Sequence, residues 1–257
     1  MHPKRCLSLL CLLALLAGCA SPALADGLEI TSVQLESNGF VTVTWQNEDG
    51  KGPYSLYYMI WHPEAQVLDL AVRLDETTDG NWFTYKQLVP GVSYTLAVRD
   101  SEKNIAYKTV ELPEKGRFQT SQKTKAVLSL KYKTKAGAKD RSAKTSKKLS
   151  ASAIRKNLER GYVYGLGLKV KFNSKTAETS VHDGVVAVWA PNGFLWSEGV
   201  RFTFNRKKGT SSEFPFLMSP LFPTLISQYG GIPTGEYKMK LFLEGQLYLE
   251  ESFTIKE

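Results

Sequence analysis

The sequence predicts a mainly β protein, in which an N-terminal β-sandwich precedes a second β-sandwich-like domain that contains a short helix. Two observations lead to this fold class. Short runs of alternating apolar and polar residues recur along most of the chain, and Gly, Pro, Asn and Asp separate them. A composition of 42% hydrophobic and 23% charged residues is sufficient for buried cores and excludes disorder of the whole chain.

Residues 1–25 have the pattern of an export signal. Two basic residues precede an apolar stretch that is too short to remain in a bilayer as a spanning helix. Two cleavage sites compete. Leu16–Cys19 resembles the lipobox of bacterial lipoproteins, whose cysteine is acylated, whereas Ala23–Ala25 fits the small-x-small rule of ordinary secretion. We therefore expect an exported protein, either anchored at the cell surface through a lipid on Cys19 or secreted.

The cysteines indicate how the exported part is held together. All three of them, Cys6, Cys11 and Cys19, lie within the first nineteen residues. The rest of the chain therefore has no disulfide and no thiolate metal site, and we expect neither a metal nor a cofactor. Burial of apolar side chains has to stabilise the fold.

The alternating pattern is clear in the first predicted domain, residues 26–113. In one run Val41, Val43 and Trp45 share one face of a strand, and threonines occupy the other face. A later run follows a Pro-Gly turn and again alternates, from Tyr94 onward. This spacing of short strands and turns predicts a sandwich.

The same residues carry a family resemblance. Trp45 at the end of an early strand, together with Leu-x-Pro-Gly-x-x-Tyr-x-Leu-x-Val at Leu88–Val98, resembles a fibronectin type III domain over residues 28–113. The resemblance implies that Trp45 is the core tryptophan and that Tyr94 forms the tyrosine corner. One departure is the segment Glu64–Trp82, which is longer and more acidic than such a domain needs. The sequence has no Arg-Gly-Asp tripeptide, so integrin binding is not implied.

Residues 114–125 are polar and predict a linker, and residues 126–257 predict the second domain. The first strand of that domain places Leu128 and Leu130 on the core face. Its lysines fall on the solvent face, which is a common protection for a sheet edge. A short helix that ends at Gly161 follows.

The remainder of the second domain reads mainly as strands. Gly165 and Gly167 interrupt one strand pattern and predict a bend or bulge. The apolar segment 214–231 predicts one or two helical turns over the sheet. The chain then ends in a hairpin that turns at Glu244-Gly245.

Catalysis is not expected. After export only His62 and His182 remain, and His182-Asp183-Gly184 reads as a surface turn. His182 and Asp183 are adjacent, and adjacent side chains on a strand point to opposite faces, so they are badly placed to act on each other. The chain has no Gly-x-Ser-x-Gly, His-Glu-x-x-His or phosphate-loop motif. Paired carboxylates among Asp183, Glu198 and Glu213 leave open a glycan-active site.

Aromatic residues raise the question of sugar binding. Trp61, Trp82 and Trp196 each have a flat face that could stack on a sugar ring, although aromatic side chains in a small sandwich more often fill the core. Trp82 is the candidate glycan contact, because the turn residues Asp-Gly-Asn immediately precede it.

The formal net charge of +8 is concentrated in one basic segment, residues 131–148, which holds eight Lys or Arg and one acid. The cationic residues are Lys131, Lys133, Lys135, Lys139, Arg141, Lys144, Lys147 and Lys148. The segment is interpreted either as a solvated loop or as an arm that contacts an anionic polymer of the cell envelope. Nucleic acid is not the expected partner, because aromatic side chains do not interleave with the cations and export removes the protein from the cytoplasm.

The sequence therefore favours an exported, lipid-anchored cell-surface protein that binds or scaffolds without catalysis. Its expected partner is a component of the cell envelope or another surface protein. The alternatives are a glycan-binding or glycan-active accessory protein, with its site in the second domain, and an envelope polyanion binder that uses the basic segment 131–148.

Overall fold

The structure of the protein is a computed structural model. It describes residues 27–48, 52–62, 67–69, 73–77, 80–119, 124–133, 141–143, 149–172, 180–204, 212–217 and 221–257. In this part of the chain the fold is mainly β, as predicted. The strands, numbered along the chain, are β1 Leu28–Leu35, β2 Val41–Asn47, β3 Tyr54–His62, β4 Val67–Asp69, β5 Arg73–Thr77, β6 Trp82–Tyr85, β7 Ser93–Arg99, β8 Ile105–Glu111, β9 Thr124–Lys133, β10 Arg141–Ala143, β11 Val163–Phe172, β12 Ser180–Trp189, β13 Leu195–Phe204, β14 Ser212–Leu217, β15 Gly235–Leu243 and β16 Gln246–Ile255. The helices are α1 Ala151–Glu159 and α2 Leu221–Tyr229.

The chain forms two compact units. The first comprises the described residues up to Gln34, together with Thr42–Thr84 and Ser93–Glu111. The second comprises Leu35–Val41, Tyr85–Val92 and Leu112–Glu257. Two short segments from the N-terminal half of the chain are therefore part of the second unit.

The first unit contains the predicted fibronectin type III-like sandwich. One sheet has the order β1-β2-β6, and the other has the order β4-β3-β7-β8, with β5 pairing with β3. Trp45 on β2 is buried and meets the ring of Tyr54 on β3 edge to face, at a centroid distance of 5.2 Å. This contact joins the two sheets, and Trp45 is the core tryptophan that the resemblance implies.

The second unit is also a sandwich. Its sheets have the orders β10-β9-β11-β14 and β13-β12-β15-β16, and all described strand pairs in them are antiparallel. The core takes Leu128 and Leu130 from β9, Val186 from β12 and Leu241 from β15, and each is at most 2% exposed. Alternation along each strand places these residues on the inward face.

The sheet that contains β12 is buried on both of its faces. Val186 and Val188 belong to the main core, whereas Val185 and Ala187 belong to a second apolar cluster with Phe242. This second cluster is completed by side chains from the two N-terminal segments of the unit, Phe40 and Val89. Burial on both faces explains why this stretch is continuously apolar instead of alternating.

The two helices close the second unit. The side chain of Ser150 caps α1 by accepting a hydrogen bond from the Ala153 amide at 3.2 Å. Gly161, at φ +76°, follows the helix as predicted. In α2, Leu221, Phe222 and Leu225 are fully buried. The apolar segment 214–231 was expected to form one or two helical turns. It contains α2, and its first residues belong to strand β14.

Three sequence interpretations need correction. His182 does not lie in a turn but inside β12. Gly165 and Gly167 form no bulge, because β11 pairs with β9 in unbroken register at both positions. Lys131 was expected on the solvent face of its strand, but only 8% of its surface is exposed. A β-carbon on Gly167 would lie 2.3 Å from Cδ and Cε of Lys131, so the missing side chain of this glycine makes room for the lysine stem.

Candidate functional site

The candidate site lies at one end of strand β12 in the second unit. Ser180 and His182 are two residues apart and therefore project from the same face of the strand. Further along, that face carries Val186 and Val188 of the main core. Polar side chains thus continue an apolar row at the rim of the sandwich, where partner groups must compensate for lost hydration.

Both ring nitrogens of His182 have partners. Nδ1 lies 2.7 Å from Oε1 of Glu244, and Nε2 lies 3.0 Å from Oγ of Ser180. The His182 side chain is 18% exposed and that of Glu244 is 43% exposed. The three residues form one chain of hydrogen bonds, which we call the Ser180–His182–Glu244 relay.

The turn between β15 and β16 delivers the carboxylate. Glu244 and Gly245 have φ values of +52° and +76°, the left-handed pair that a tight two-residue hairpin needs. The amide of Glu244 donates to the carbonyl of Asp183 at 3.0 Å, which ties the turn to β12. Glu244 therefore reaches His182 from a strand turn whose position is fixed by the backbone.

An aromatic side chain holds the imidazole from the other direction. The ring of Phe118 meets that of His182 edge to face, with centroids 5.2 Å apart, and it also meets Tyr248 at 5.9 Å. Phe118 packs on the main core of the unit. Residue 118 belongs to the polar stretch predicted as a linker, so part of that stretch has a structural role in the second unit.

Asp183 faces the opposite side of β12 and has its own partners. Arg201 donates from Nε to Oδ1 at 2.7 Å and from Nη2 to Oδ2 at 3.2 Å, and Asn38 Nδ2 lies 3.4 Å from Oδ2. The hydrogen bond from Arg201 lowers the pKa of Asp183 below its usual value. His182 and Asp183 therefore have different partners, Glu244 for His182 and Arg201 for Asp183.

The relay can in principle activate a hydroxyl group. A carboxylate only accepts hydrogen bonds, so its contact assigns the ring proton to Nδ1. In the neutral ring Nε2 is then an acceptor, and the Ser180 hydroxyl donates to it. Sequence reasoning missed this arrangement, because it considered His182 only with Asp183. The available signal was Ser-x-His on an alternating run, which places both side chains on one face.

A second candidate surface lies in the first unit, on the outer face of the sheet β1-β2-β6. Trp82 on the edge strand β6 is 59% exposed. Thr84 shares its face by alternation and lies 3.0 Å from Thr42, Oγ1 to Oγ1. On the same face of β2, Gln46 donates to Glu29 at 3.3 Å. This surface, which we call the Trp82 face, joins one bare indole to several hydroxyl and amide groups.

The other two tryptophans named as glycan candidates differ from Trp82. Trp196 is 8% exposed and belongs to the core of the second unit. The side chain of Trp61 lies outside the described residues. Of the three, Trp82 therefore remains the candidate for contact with a sugar.

Only some of the remaining predicted site residues lie in the described part of the chain. The lipidation candidate Cys19 lies outside the described residues. Lys133 and Arg141 have described backbones in β9 and β10, but their side chains lie outside the description. The residues of the basic segment that lie wholly outside it are Lys135, Lys139, Lys144, Lys147 and Lys148.

The described residues contain neither a group of metal ligands nor a helix that could span a membrane. Among them, His, Cys, Asp and Glu side chains nowhere gather into a group of three that could hold a metal ion. No helix in the same part of the chain has the length and apolar character needed to cross a membrane.

No protein-family model and no curated protein matches the chain. Similar solved structures include a two-domain fibronectin type III segment of chicken tenascin, at 11% identity and a TM-score of 0.28, covering 90% of this chain and 100% of that one. The chicken interferon gamma receptor alpha chain has 7% identity and a TM-score of 0.24, covering 90% and 99%. The FN1–FN3 domains of chicken CNTN1 have 12% identity and a TM-score of 0.21, covering 90% and 68%. At these values no function is transferred from the three structures to this chain.

Proposed function

We propose that the protein is an exported cell-surface binding module that engages its ligand through the Trp82 face. Domains of the fibronectin type III-like class are typically binding or scaffolding modules. The export signal at residues 1–25 supports a location outside the cytoplasm, with a lipid on Cys19 as the anchor or with release into the medium as the alternative.

The exposure of Trp82 is the observation that carries this proposal. A tryptophan that leaves 59% of its surface in water forgoes much of the stabilisation that burial would provide. Tryptophan is enriched at binding surfaces, because its large rigid ring gains contact area at little entropic cost. An indole on a sheet edge is thus better explained by a partner than by the stability of the sandwich.

The ligand class that this face fits is a carbohydrate. A sugar ring offers a flat C–H surface for stacking on an indole and hydroxyl groups around its rim. Thr42, Thr84 and Gln46 supply hydroxyl and amide groups beside Trp82 that can exchange hydrogen bonds with that rim. Because these groups are largely satisfied within the sheet, weak binding that gains from several repeated sugar units is expected.

A glycan array probed with the full chain tests the proposal. Replacing Trp82 by Ala should abolish the binding observed with the wild-type protein. The matched control is Tyr107→Ala, since Tyr107 is 57% exposed in β8 of the other sheet and its removal should leave binding unchanged. A blank array, or equal loss in both variants, would reject the Trp82 face as a glycan site.

The location is tested separately in a bacterial host that lipidates exported proteins. Cys19→Ala should release the protein from the membrane fraction into the soluble exported fraction. Cys6→Ala is the matched control, because it changes a cysteine of the leader outside the lipobox. Unchanged membrane association of Cys19→Ala would reject the lipid anchor and leave the glycan experiment unaffected.

A further inference from the structure

We propose that Ser180 is a nucleophile that His182 activates as a general base and that reacts with acyl or phosphonyl esters. The proposed binding function does not use these residues, so this inference goes beyond it. In the Ser180–His182–Glu244 relay, the hydrogen bond between Ser180 and His182 is 3.0 Å long and that between His182 and Glu244 is 2.7 Å long. Nucleophile, base and orienting acid within hydrogen-bond reach are the structural signature of an activated hydroxyl.

The direction of the hydrogen bonds is the first argument. Glu244 contacts Nδ1, and Ser180 contacts Nε2. Because the carboxylate fixes the proton on Nδ1, the lone pair of Nε2 is directed at the hydroxyl of Ser180. The reverse attachment, with the acid on Nε2 and the serine on Nδ1, would serve equally well to satisfy polar groups and is not the one observed.

The backbone of Glu244 is the second argument. Its φ of +52° lies in the left-handed region, which Gly, Asn and Asp adopt readily at a hairpin turn and glutamate does not. Asn or Gly in this position would form the turn with less strain. Glutamate occupies this position at a local conformational cost, and its carboxylate is what reaches His182. Strain of this kind concentrates at functional sites.

The surroundings are the third argument. Ser180 is half-buried, and its neighbour Val181 is 55% exposed, so the serine lies at the surface and not inside the core. The imidazole is more enclosed than the Glu244 carboxylate, and its ring meets that of Phe118 edge to face. A shielded base beside an accessible hydroxyl is suited to attack a ligand that arrives from solvent.

The reaction follows from these roles. The Ser180 oxygen attacks the carbonyl carbon of an ester while its proton passes to Nε2 of His182. The carbon–oxygen bond to the leaving alcohol breaks, and that alcohol departs with the proton from Nε2, leaving an acyl-serine. Water then attacks the acyl carbon and gives a proton to Nε2, which returns it to the departing Ser180 oxygen. The products are a carboxylic acid and an alcohol.

A fluorophosphonate probe applied to the full chain tests the nucleophile directly. The oxygen of Ser180 should form a bond to phosphorus as fluoride leaves, and the adduct should be found by mass spectrometry on the peptide that contains Ser180. Ser129 and Ser197 serve as internal controls, because their hydroxyls donate to the backbone carbonyls of Gly167 and Gln87 at 3.3 and 2.6 Å. Labelling of Ser180 no faster than of these serines overturns the proposal.

Two variants test the base and its orienting acid. His182→Gln should slow labelling of Ser180 about 100-fold or more, the contribution of a general base. In Glu244→Gln, labelling should also be slower, because a neutral amide stabilises the imidazolium that forms during attack less than a carboxylate does. If the relay has only a structural role, these variants should change the thermal stability of the protein. Ser180 should then be labelled at the same rate as Ser129 and Ser197. That result, or full labelling in His182→Gln, also overturns the proposal.

Discussion

The backbone of Gly39 packs directly on that of Gly245 within the second unit. A β-carbon built on Gly39 would lie 2.3 Å from the amide nitrogen and 2.8 Å from the α-carbon of Gly245, and φ at Gly39 is +86°. Backbone atoms cannot move aside as a side-chain tip can, so Gly39→Ala combines overpacking with conformational strain. We expect a loss of about 3 kcal/mol in the free energy of unfolding, measured by urea denaturation.

Gly193 provides the matched control for this substitution. Its φ is also +86°, but no atom lies within 4 Å of the position that a β-carbon would take. Gly193→Ala should therefore cost only the conformational strain, about 1 kcal/mol. Equal losses at Gly39 and Gly193 would show that the close approach to Gly245 has no energetic effect.

A second prediction concerns the apolar cluster formed by Phe40, Val89, Val185, Ala187, Phe242 and Leu247. Val89 is fully buried, so Val89→Ala removes buried methyl groups and leaves a cavity, which should cost about 2 kcal/mol. Val181→Ala in the same unit removes the same atoms from a side chain that is 55% exposed. Its cost should stay within about 0.5 kcal/mol in the same urea experiment.

A third prediction concerns alkaline pH. Tyr237 is fully buried, stacks on Phe253 at 4.9 Å and donates to the carbonyl of Pro233 at 2.8 Å, and burial raises its pKa above 10.0. The unfolded chain therefore loses this proton first, and stability should fall as pH rises above about 10, by ~1.4 kcal/mol per pH unit. Tyr237→Phe should reduce this alkaline loss, although it should cost about 1 kcal/mol at neutral pH for the lost hydrogen bond. If the variant loses as much stability above pH 10 as the wild-type protein, Tyr237 is not the group responsible.

A fourth prediction concerns acid pH. The hydrogen bond from Arg201 lowers the pKa of Asp183 from its usual 3.8, so the ionised form is favoured in the folded state. The resulting stability is present above this value and is lost as pH falls below it. Asp183→Asn should be less stable than the wild-type protein at pH 7 and should lose less stability between pH 5 and pH 2. Arg201→Gln should show the same smaller loss. If both variants lose as much stability between pH 5 and pH 2 as the wild-type protein, the ion pair of Asp183 and Arg201 does not contribute to acid stability.

Much of the strand content could be predicted from the sequence, because alternation is a local property. Val41, Val43 and Trp45 alternate with threonines, and all three are buried as the pattern requires. The short helix that ends before Gly161 could also be predicted, since a glycine marks its C-terminal end. Each of these features depends on residues that lie within one turn or one strand of each other.

The wrong predictions have a common cause, because each concerns a residue whose environment is set by a neighbouring strand that is distant in the sequence. Gly184 suggested a turn after His182, but a β-carbon at this position would lie 2.3 Å from the carbonyl oxygen of Phe242. The glycine therefore permits the close approach of β15 and does not end β12. The relay was missed for the same reason, since only the register of distant strands brings Glu244 to His182. Periodicity along one segment carries no information about the segment that pairs with it.

The cluster that joins Phe40 to Leu247 also sets an order of events during synthesis. These two residues lie more than 200 residues apart in the sequence, and both belong to the cluster that contains Val185 and Ala187. A polypeptide that is synthesised from its N-terminus cannot complete this cluster until the hairpin of β15 and β16 has left the ribosome. Until then an apolar face of the growing sheet is open to self-association, which favours a factor that shields the nascent chain.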